Sequence, residues 1–207
     1  MDIASINCFS VVISIITYIH MKIVDKVIFL DIDGVLNNYE WADKYWNAVR
    51  GLSNDMSKED CEGFTDLTDP VATNILFDIL EKTGAYIVLS SSWRRCSIQE
   101  TLQEFATTRH ILFRKLVPYI VGITARYYGP RKPRGEEIQD FIDKVNNNTI
   151  NRDKYIDKDA SFIKNFKYVI IDDDSDMIEG QSFVQTSYFK GLTTEDANKV
   201  IEILGTK

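Results

Sequence analysis

Residues 27–30 (Val-Ile-Phe-Leu) form an unbroken apolar run that ends at Asp31, with Asp33 two positions on and Gly34 behind it. This short stretch constrains the chain more than any other. A continuous apolar run closed by polar residues suits a strand buried on both faces, the kind found in parallel sheets. Residues i and i+2 of a strand project to the same side, so the two carboxylates point together where the strand ends. Gly34 permits a sharp turn there. Carboxylates this close repel unless a cation or a proton lies between them. In open α/β sheets ligands bind beyond the carboxyl ends of the strands. Asp and Gly after a strand are also ordinary turn chemistry. A calcium loop of the form D-x-D-x-D-G is excluded, because Val35 stands at the third ligand position and Leu36 where the glycine is required. What the pair does therefore depends on the other strand ends.

Those ends follow in order. Asp69-Pro70 reads as N-cap and first residue of a helix, with Val71, Ile75, Leu76, Ile79 and Leu80 as its apolar stripe and Gly84 as its stop. Residues 85–89 form a second apolar strand, closed by Ser90, Ser91, Ser92, Trp93 and Arg94. Hydroxyls there can donate to phosphate oxygens or cap the helix expected near residues 97–105. A weaker third strand spans 119–124, and a Gly- and Pro-containing loop leads to a helix at Arg134 with Ile138, Phe141, Ile142 and Val145 on one face. A cation at a helix N-terminus opposes the dipole, a conflict that a bound anion would remove; chance placement is the alternative. Residues 146–165 are polar and Asn-rich, and are expected to be a surface excursion with little regular structure. A fourth strand, 168–171, starting from Tyr168, closes in Asp172, Asp173, Asp174, Ser175 and Asp176. Four acids in five residues suit a cation site or a solvated turn. A fifth strand spans 182–186. Thr193 and Asp196 then open a last helix, striped by Ala197, Val200, Ile201 and Leu204. Alternating strands and helices predict a single α/β domain: a five-stranded parallel sheet with helices on both faces, the first strand beginning near Lys26.

Composition sets the frame for that domain. The 207 residues suffice for one sizeable core, and 44% hydrophobic with 27% charged residues is ordinary for a globular chain. Cys8, Cys61 and Cys96 make no C-x-x-C pair, which points to a reducing, cytoplasmic setting without a disulfide framework or zinc site. The net charge of −7 is unevenly spread. Residues 93–134 hold nine Lys/Arg against two Asp/Glu, a local +7, which leaves −14 on the rest. This suggests a basic sector facing an anionic ligand, or else a solvated face. Residues 1–21 are an apolar extension without Lys, Arg, Asp or Glu beyond Asp2. We read it as lying outside the fold, ahead of a membrane anchor or a signal sequence. Residues 37–68, with Tyr39, Trp41, Tyr45 and Trp46, read as a flap or small cap whose rings cover a ligand or pack on the core.

The segments DIDGV, VLSSSWR, RGEEI and IDDDSDM, with GLTTEDA at the close, together resemble the haloacid dehalogenase (HAD) superfamily of phosphohydrolases over residues 22–207. Within it the chain is similar to HAD domains associated with RNA repair and polynucleotide-end phosphatases. The resemblance implies a Rossmann-like HAD domain with only a small cap insertion. It implies Asp31 as nucleophile and Asp33 as general acid and base. Ser90, with Ser91, and Arg134 would bind the phosphoryl group, with Lys132 competing for the place of Arg134. Mg²⁺ would be held by Asp31, by Asp33 through its backbone carbonyl, and by Asp173, with Asp172 in support. The expected substrate is a phosphorylated small molecule or a nucleic-acid end. No stable protein partner is expected. A sugar phosphatase, a phosphorelay receiver and a non-catalytic binding module on the same fold are the rival readings. In a receiver the phosphorylated Asp ends a later strand, whereas here that strand ends in an acidic cluster. In the basic sector Arg126, Arg131 and Lys132 interleave with Tyr127 and Tyr128, which favours a nucleotide or oligonucleotide end over a sugar phosphate.

A chain that starts at Met21 is expected to be soluble and folded. Aggregation, or a much lower melting temperature than that of the full chain, would place the first twenty residues in the core.

Overall fold

The computed structural model of the protein describes residues 21–51, 68–108, 110–126 and 132–207. Chain order runs β1 (Lys22–Leu30), α1 (Tyr39–Gly51), α2 (Pro70–Thr83), β2 (Tyr86–Leu89), α3 (Ile98–Thr107), α4 (Ile111–Leu116), a 3-10 turn (Val117–Tyr119) and β3 (Ile120–Ile123). It continues through α5 (Arg134–Asn146), α6 (Arg152–Tyr155), β4 (Ala160–Asp172), β5 (Phe183–Gln185) and α7 (Thr194–Leu204). The five strands form one parallel sheet in the order β3-β2-β1-β4-β5. The chain builds outward from β1 on one side and then crosses back to add β4 and β5 on the other. The strand order therefore reverses between β1 and β4, and a crevice opens at their carboxyl ends.

The apolar run of β1 is fully buried because both faces of the sheet are covered. Ile28 and Leu30 join a cluster with Leu76, Ile79 and Leu80 of α2, Phe113 and Leu116 of α4, and Val200 and Leu204 of α7. Val27 and Phe29 face the opposite layer, built from Ile138, Phe141 and Ile142 of α5 with Ile156 and Phe166. Phe29 meets the rings of Phe141 and Tyr168 edge-on, each at 5.7 Å between centroids. Side chains alternating along one strand thus belong to two separate cores.

Two expectations need correction. β1 begins at Lys22, and residues 146–165 carry more regular structure than expected, since they hold α6 and the first part of β4. The two strands pair twice: Lys22, Ile23 and Val24 with Ala160, Ser161 and Phe162, then Lys26 through Leu30 with Lys167 through Ile171, across a register shift. Asn165 adopts φ 57 inside β4. That irregularity, set among Lys164, Asn165 and Lys167, breaks the apolar pattern by which a strand is recognised. Lys26 is polar yet anchored, donating to the carbonyls of Thr83, Gly205 and Thr206 at 3.0–3.1 Å.

The segment read as a flap is described only at its start. Residues 37–68 begin with α1, while residues 52–67 and the side chain of Tyr45 lie outside the described residues, as do residues 1–20. Tyr39 is half exposed and packs edge-on against Phe189 after β5, at 5.5 Å between centroids; Trp46 is also half exposed. Residues 97–126 supply α3, α4 and β3 to the main body rather than a cap domain. Among the described residues no helix is long and apolar enough to cross a membrane.

Two helix starts are tied together near the crevice. Asp69 caps α2 by accepting from the Val71 N–H at 2.8 Å, and its other oxygen accepts from the Asn38 amide at 2.7 Å. Asn38 in turn accepts from the Trp41 N–H at 2.9 Å, so it caps α1. Asp69→Ala removes one cap and loosens the other. It is expected to cost roughly 1–2 kcal/mol in urea unfolding, and a midpoint equal to wild type would show that the linkage carries no stability.

Candidate active site

Asp31 directly follows the buried end of β1 and is only 6% exposed. Its Oδ1 accepts from the Ile32 N–H at 2.6 Å, and the Ser91 hydroxyl also donates to the carboxylate. Burial pushes its pKa up and the neighbouring Asp33 adds to this, while Arg134 and the two donors pull it down. β4 runs beside β1 and ends at Asp172, which is fully buried. Burial and the repulsion of Asp31 raise the Asp172 pKa to about 8, against the pull of Arg134. Asp173 is half-buried and raised as well, by burial first and then by Asp31.

Carboxylate oxygens of Asp31, Asp172 and Asp173 lie within 4.8 Å of one another. Asp172 Oδ2 is buried and makes no hydrogen bond. A buried oxygen without a hydrogen bond inside an all-oxygen set fits a hard divalent cation such as Mg²⁺, which takes carboxylate oxygens. The sequence had assigned Asp172 only a supporting role, whereas the structure brings it into the cluster beside Asp173. The Asp33 carboxylate lies outside this cluster. Gly34 adopts φ +68, and a Cβ there would stand 2.2 Å from Asp173 Cγ. The glycine thus does more than turn the chain: it lets the β1 loop close onto the acid loop after β4.

Asp33 is held by three donors. Asn37 Nδ2 and Trp93 Nε1 donate to Oδ1 at 2.7 and 3.0 Å, and Ser92 Oγ donates to Oδ2 at 3.0 Å. The indole of Trp93 is itself seated against Phe113, 4.9 Å between centroids. Sequence reasoning named Ser92 and Trp93 only as part of a strand end and gave Asn37 no role. A Trp among hydroxyls in a loop was the available signal, since a half-buried indole needs an acceptor.

The two serines separate. Ser91 touches Asp31, whereas the Ser90 hydroxyl accepts from Thr124 Oγ1 at 3.5 Å. Both are fully buried.

Arg134 opens α5 and reaches both strand ends, 3.5 Å from Asp31 Oδ2 and 3.5 Å from Asp172 Oδ2. Lys132 is exposed and pairs with Glu136 at 3.8 Å. Of the two candidates, Arg134 is therefore the cation beside Asp31. A group that sequence reasoning missed stands behind it. Glu137, one turn on, lies 3.5 Å from Arg134 and 2.5 Å from Arg94. Arg94 is 2% exposed and also donates to the carbonyls of Ser91 and Ala125 at 2.6 and 3.2 Å. Burial lowers its pKa, and Glu137 opposes that. The i,i+3 spacing of Arg134 and Glu137 was the readable part of this arrangement. Arg131, Tyr127 and Tyr128 of the basic sector lie outside the described residues.

The crevice thus carries a buried carboxylate flanked by a guanidinium, a second carboxylate on its own donors, and an acid cluster suited to a cation. This set suits phosphoryl chemistry. No curated protein and no solved structure matches the chain. A family model described as the HAD domain in Swiss Army Knife RNA repair proteins matches residues 27–197, which is more than half of the chain and includes every residue of the crevice. The chain belongs to this HAD family, and membership implies a phosphohydrolase.

Proposed function

We propose that the protein hydrolyses phosphate monoesters through an aspartyl-phosphate on Asp31, with a nucleotide or nucleic-acid-end phosphate as substrate. The carrying observation is the pairing of Asp31 with Arg134 within an acid cluster that holds a buried oxygen without a hydrogen bond. Asp31, Asp172 and Asp173 would hold Mg²⁺, which offsets the negative charge of the cluster and of the phosphoryl group.

The Arg134 guanidinium draws in the phosphoryl oxygens and spreads the charge they gain as displacement proceeds. An Asp31 oxygen forms a bond to phosphorus as the ester P–O bond breaks. Asp33, once protonated, gives its proton to the leaving oxygen. Water then attacks phosphorus, Asp33 takes back a proton, and the Asp31–phosphorus bond breaks to release inorganic phosphate. Asn37, Ser92 and Trp93 aim Asp33 for both transfers. The family match to RNA repair proteins and the basic sector favour a nucleic-acid end over a sugar phosphate. The scattered cysteines fit a cytoplasmic setting.

Turnover of a phosphomonoester panel is expected to need Asp31 and Mg²⁺. Asp31→Asn keeps the shape of the side chain and is expected to lose at least ~10³-fold in kcat. Substantial turnover by that variant, or undiminished wild-type turnover in EDTA, would falsify the mechanism.

Trp93→Phe keeps the ring on Phe113 but deletes the N–H to Asp33. Alkyl phosphates, whose leaving oxygen needs a proton, are expected to lose roughly 10-fold in kcat with little change in KM. A p-nitrophenyl ester, whose leaving group departs as the anion, is expected to change little. Equal losses on both esters would mean that Trp93 serves packing rather than Asp33.

A further inference from the structure

We propose that a pocket lined by Arg95, Cys96, Thr124, Arg126, Lys154 and Tyr155 is a second phosphate subsite, holding a further phosphate of the substrate whose terminal phosphate lies at Asp31. The inference rests on the phosphatase reading and adds a requirement to it.

The pocket lies at the same end of the sheet as the active crevice, beside the strand end that carries Ser90. Thr124 lies on its lining, and Thr124 Oγ1 is 3.5 Å from Ser90 Oγ. The next residue, Ala125, takes a hydrogen bond from buried Arg94 at 3.2 Å. A volume of about 60 Å³ suits one compact polar group.

Charge decides the kind of group. Three cations line the pocket. Arg95 is bound to both carboxylate oxygens of Glu104 and is largely offset. Arg126 and Lys154 are exposed, and among the described residues neither is paired with a carboxylate. Lys154 Nζ sits over the Tyr155 ring, 5.2 Å from its centroid. Arg126 is close enough to add to the repulsion felt by Arg94. Arg126 and Lys154 thus leave two positive charges on the lining of one small pocket, and a phosphate is a ligand that offsets them. Sequence reasoning placed the basic sector between residues 93 and 134. The fold adds Lys154 from α6, in a segment expected to carry little regular structure.

Two sources could supply the second phosphate: the next internucleotide phosphate of a strand, or the second phosphate of a small bisphosphate. The experiment compares the full wild-type chain with Arg126→Gln/Lys154→Gln. Both residues are exposed, so folding is expected to survive and is checked by thermal melting. Substrates are p-nitrophenyl phosphate, a nucleoside monophosphate, the nucleoside 3′,5′-bisphosphate and a dinucleotide with one terminal phosphate.

The wild type is expected to show a KM about ten-fold lower for a substrate with a second phosphate than for the monophosphate. The double variant is expected to lose most of that advantage, with p-nitrophenyl phosphate turnover unchanged. A gain for dinucleotide and bisphosphate alike assigns the subsite to any second phosphate; a gain for the dinucleotide alone assigns it to a strand. No wild-type advantage, or an advantage kept by the double variant, overturns the proposal. If the wild type hydrolyses none of the esters, the phosphatase reading fails. Calorimetric binding of the dinucleotide and the monophosphate to the two proteins then decides the subsite on the same ratio.

Discussion

Asp31, Asp172 and Asp173 crowd together at the ends of two neighbouring strands, and the repulsion among them is the constraint to which the rest of the crevice answers. Arg134 is placed against two of them at once. Glu137 then competes for Arg134 and is itself held by Arg94. Counted as fully ionised, the four carboxylates outweigh the two guanidiniums by two charges. A divalent cation matches that remainder, and a phosphoryl group arriving with its own charge would not. Burial first, and then the Asp31 charge, push the Asp172 carboxyl up to about 8.

The position of Arg134 is itself a product of backbone locking. The Arg134 N–H donates to Asp176 Oδ2 at 2.9 Å, and the Gly135 N–H to the Asp176 carbonyl at 3.2 Å. Gln181 donates to the Gly135 carbonyl at 2.9 Å. A Cβ on Gly135 would lie 2.5 Å from the Ile178 nitrogen, so the first turn of α5 packs directly on the loop after β4. Asp176, the last acid of a run read as a possible cation site, is thus an anchor for the helix start. Gly34 against Asp173 does the same on the other side.

Much of this was legible in the sequence. The strands and the caps at Asp69 and Thr193 follow from local pattern, because burial on both faces and unpaired helix-end N–H groups impose residue types directly. Asp31, Ser91, Arg134 and Asp173 were readable because each stands at a strand or helix boundary. Residues acting across the fold were not readable. Trp93 reaches Asp33 over sixty positions, and Arg94 reaches Glu137 over forty-three. Nothing in either segment alone sets such a meeting. The first part of β4 escaped notice for a different reason, since Asn165 breaks the alternation that marks a strand.

The strands differ in length in a way that bears on how such a protein can diverge. β1 and β4 run nine and thirteen residues and pair along most of that length, while β2, β3 and β5 have four, four and three. Asp31 and Asp172 stand at the ends of the long pair, whereas Thr124 and Arg126 follow a short strand and Lys154 lies on a single-turn helix. Exchanges in those outer connections leave the long pair untouched. Variation in the outer connections can therefore accumulate without disturbing the two strand ends that carry Asp31 and Asp172.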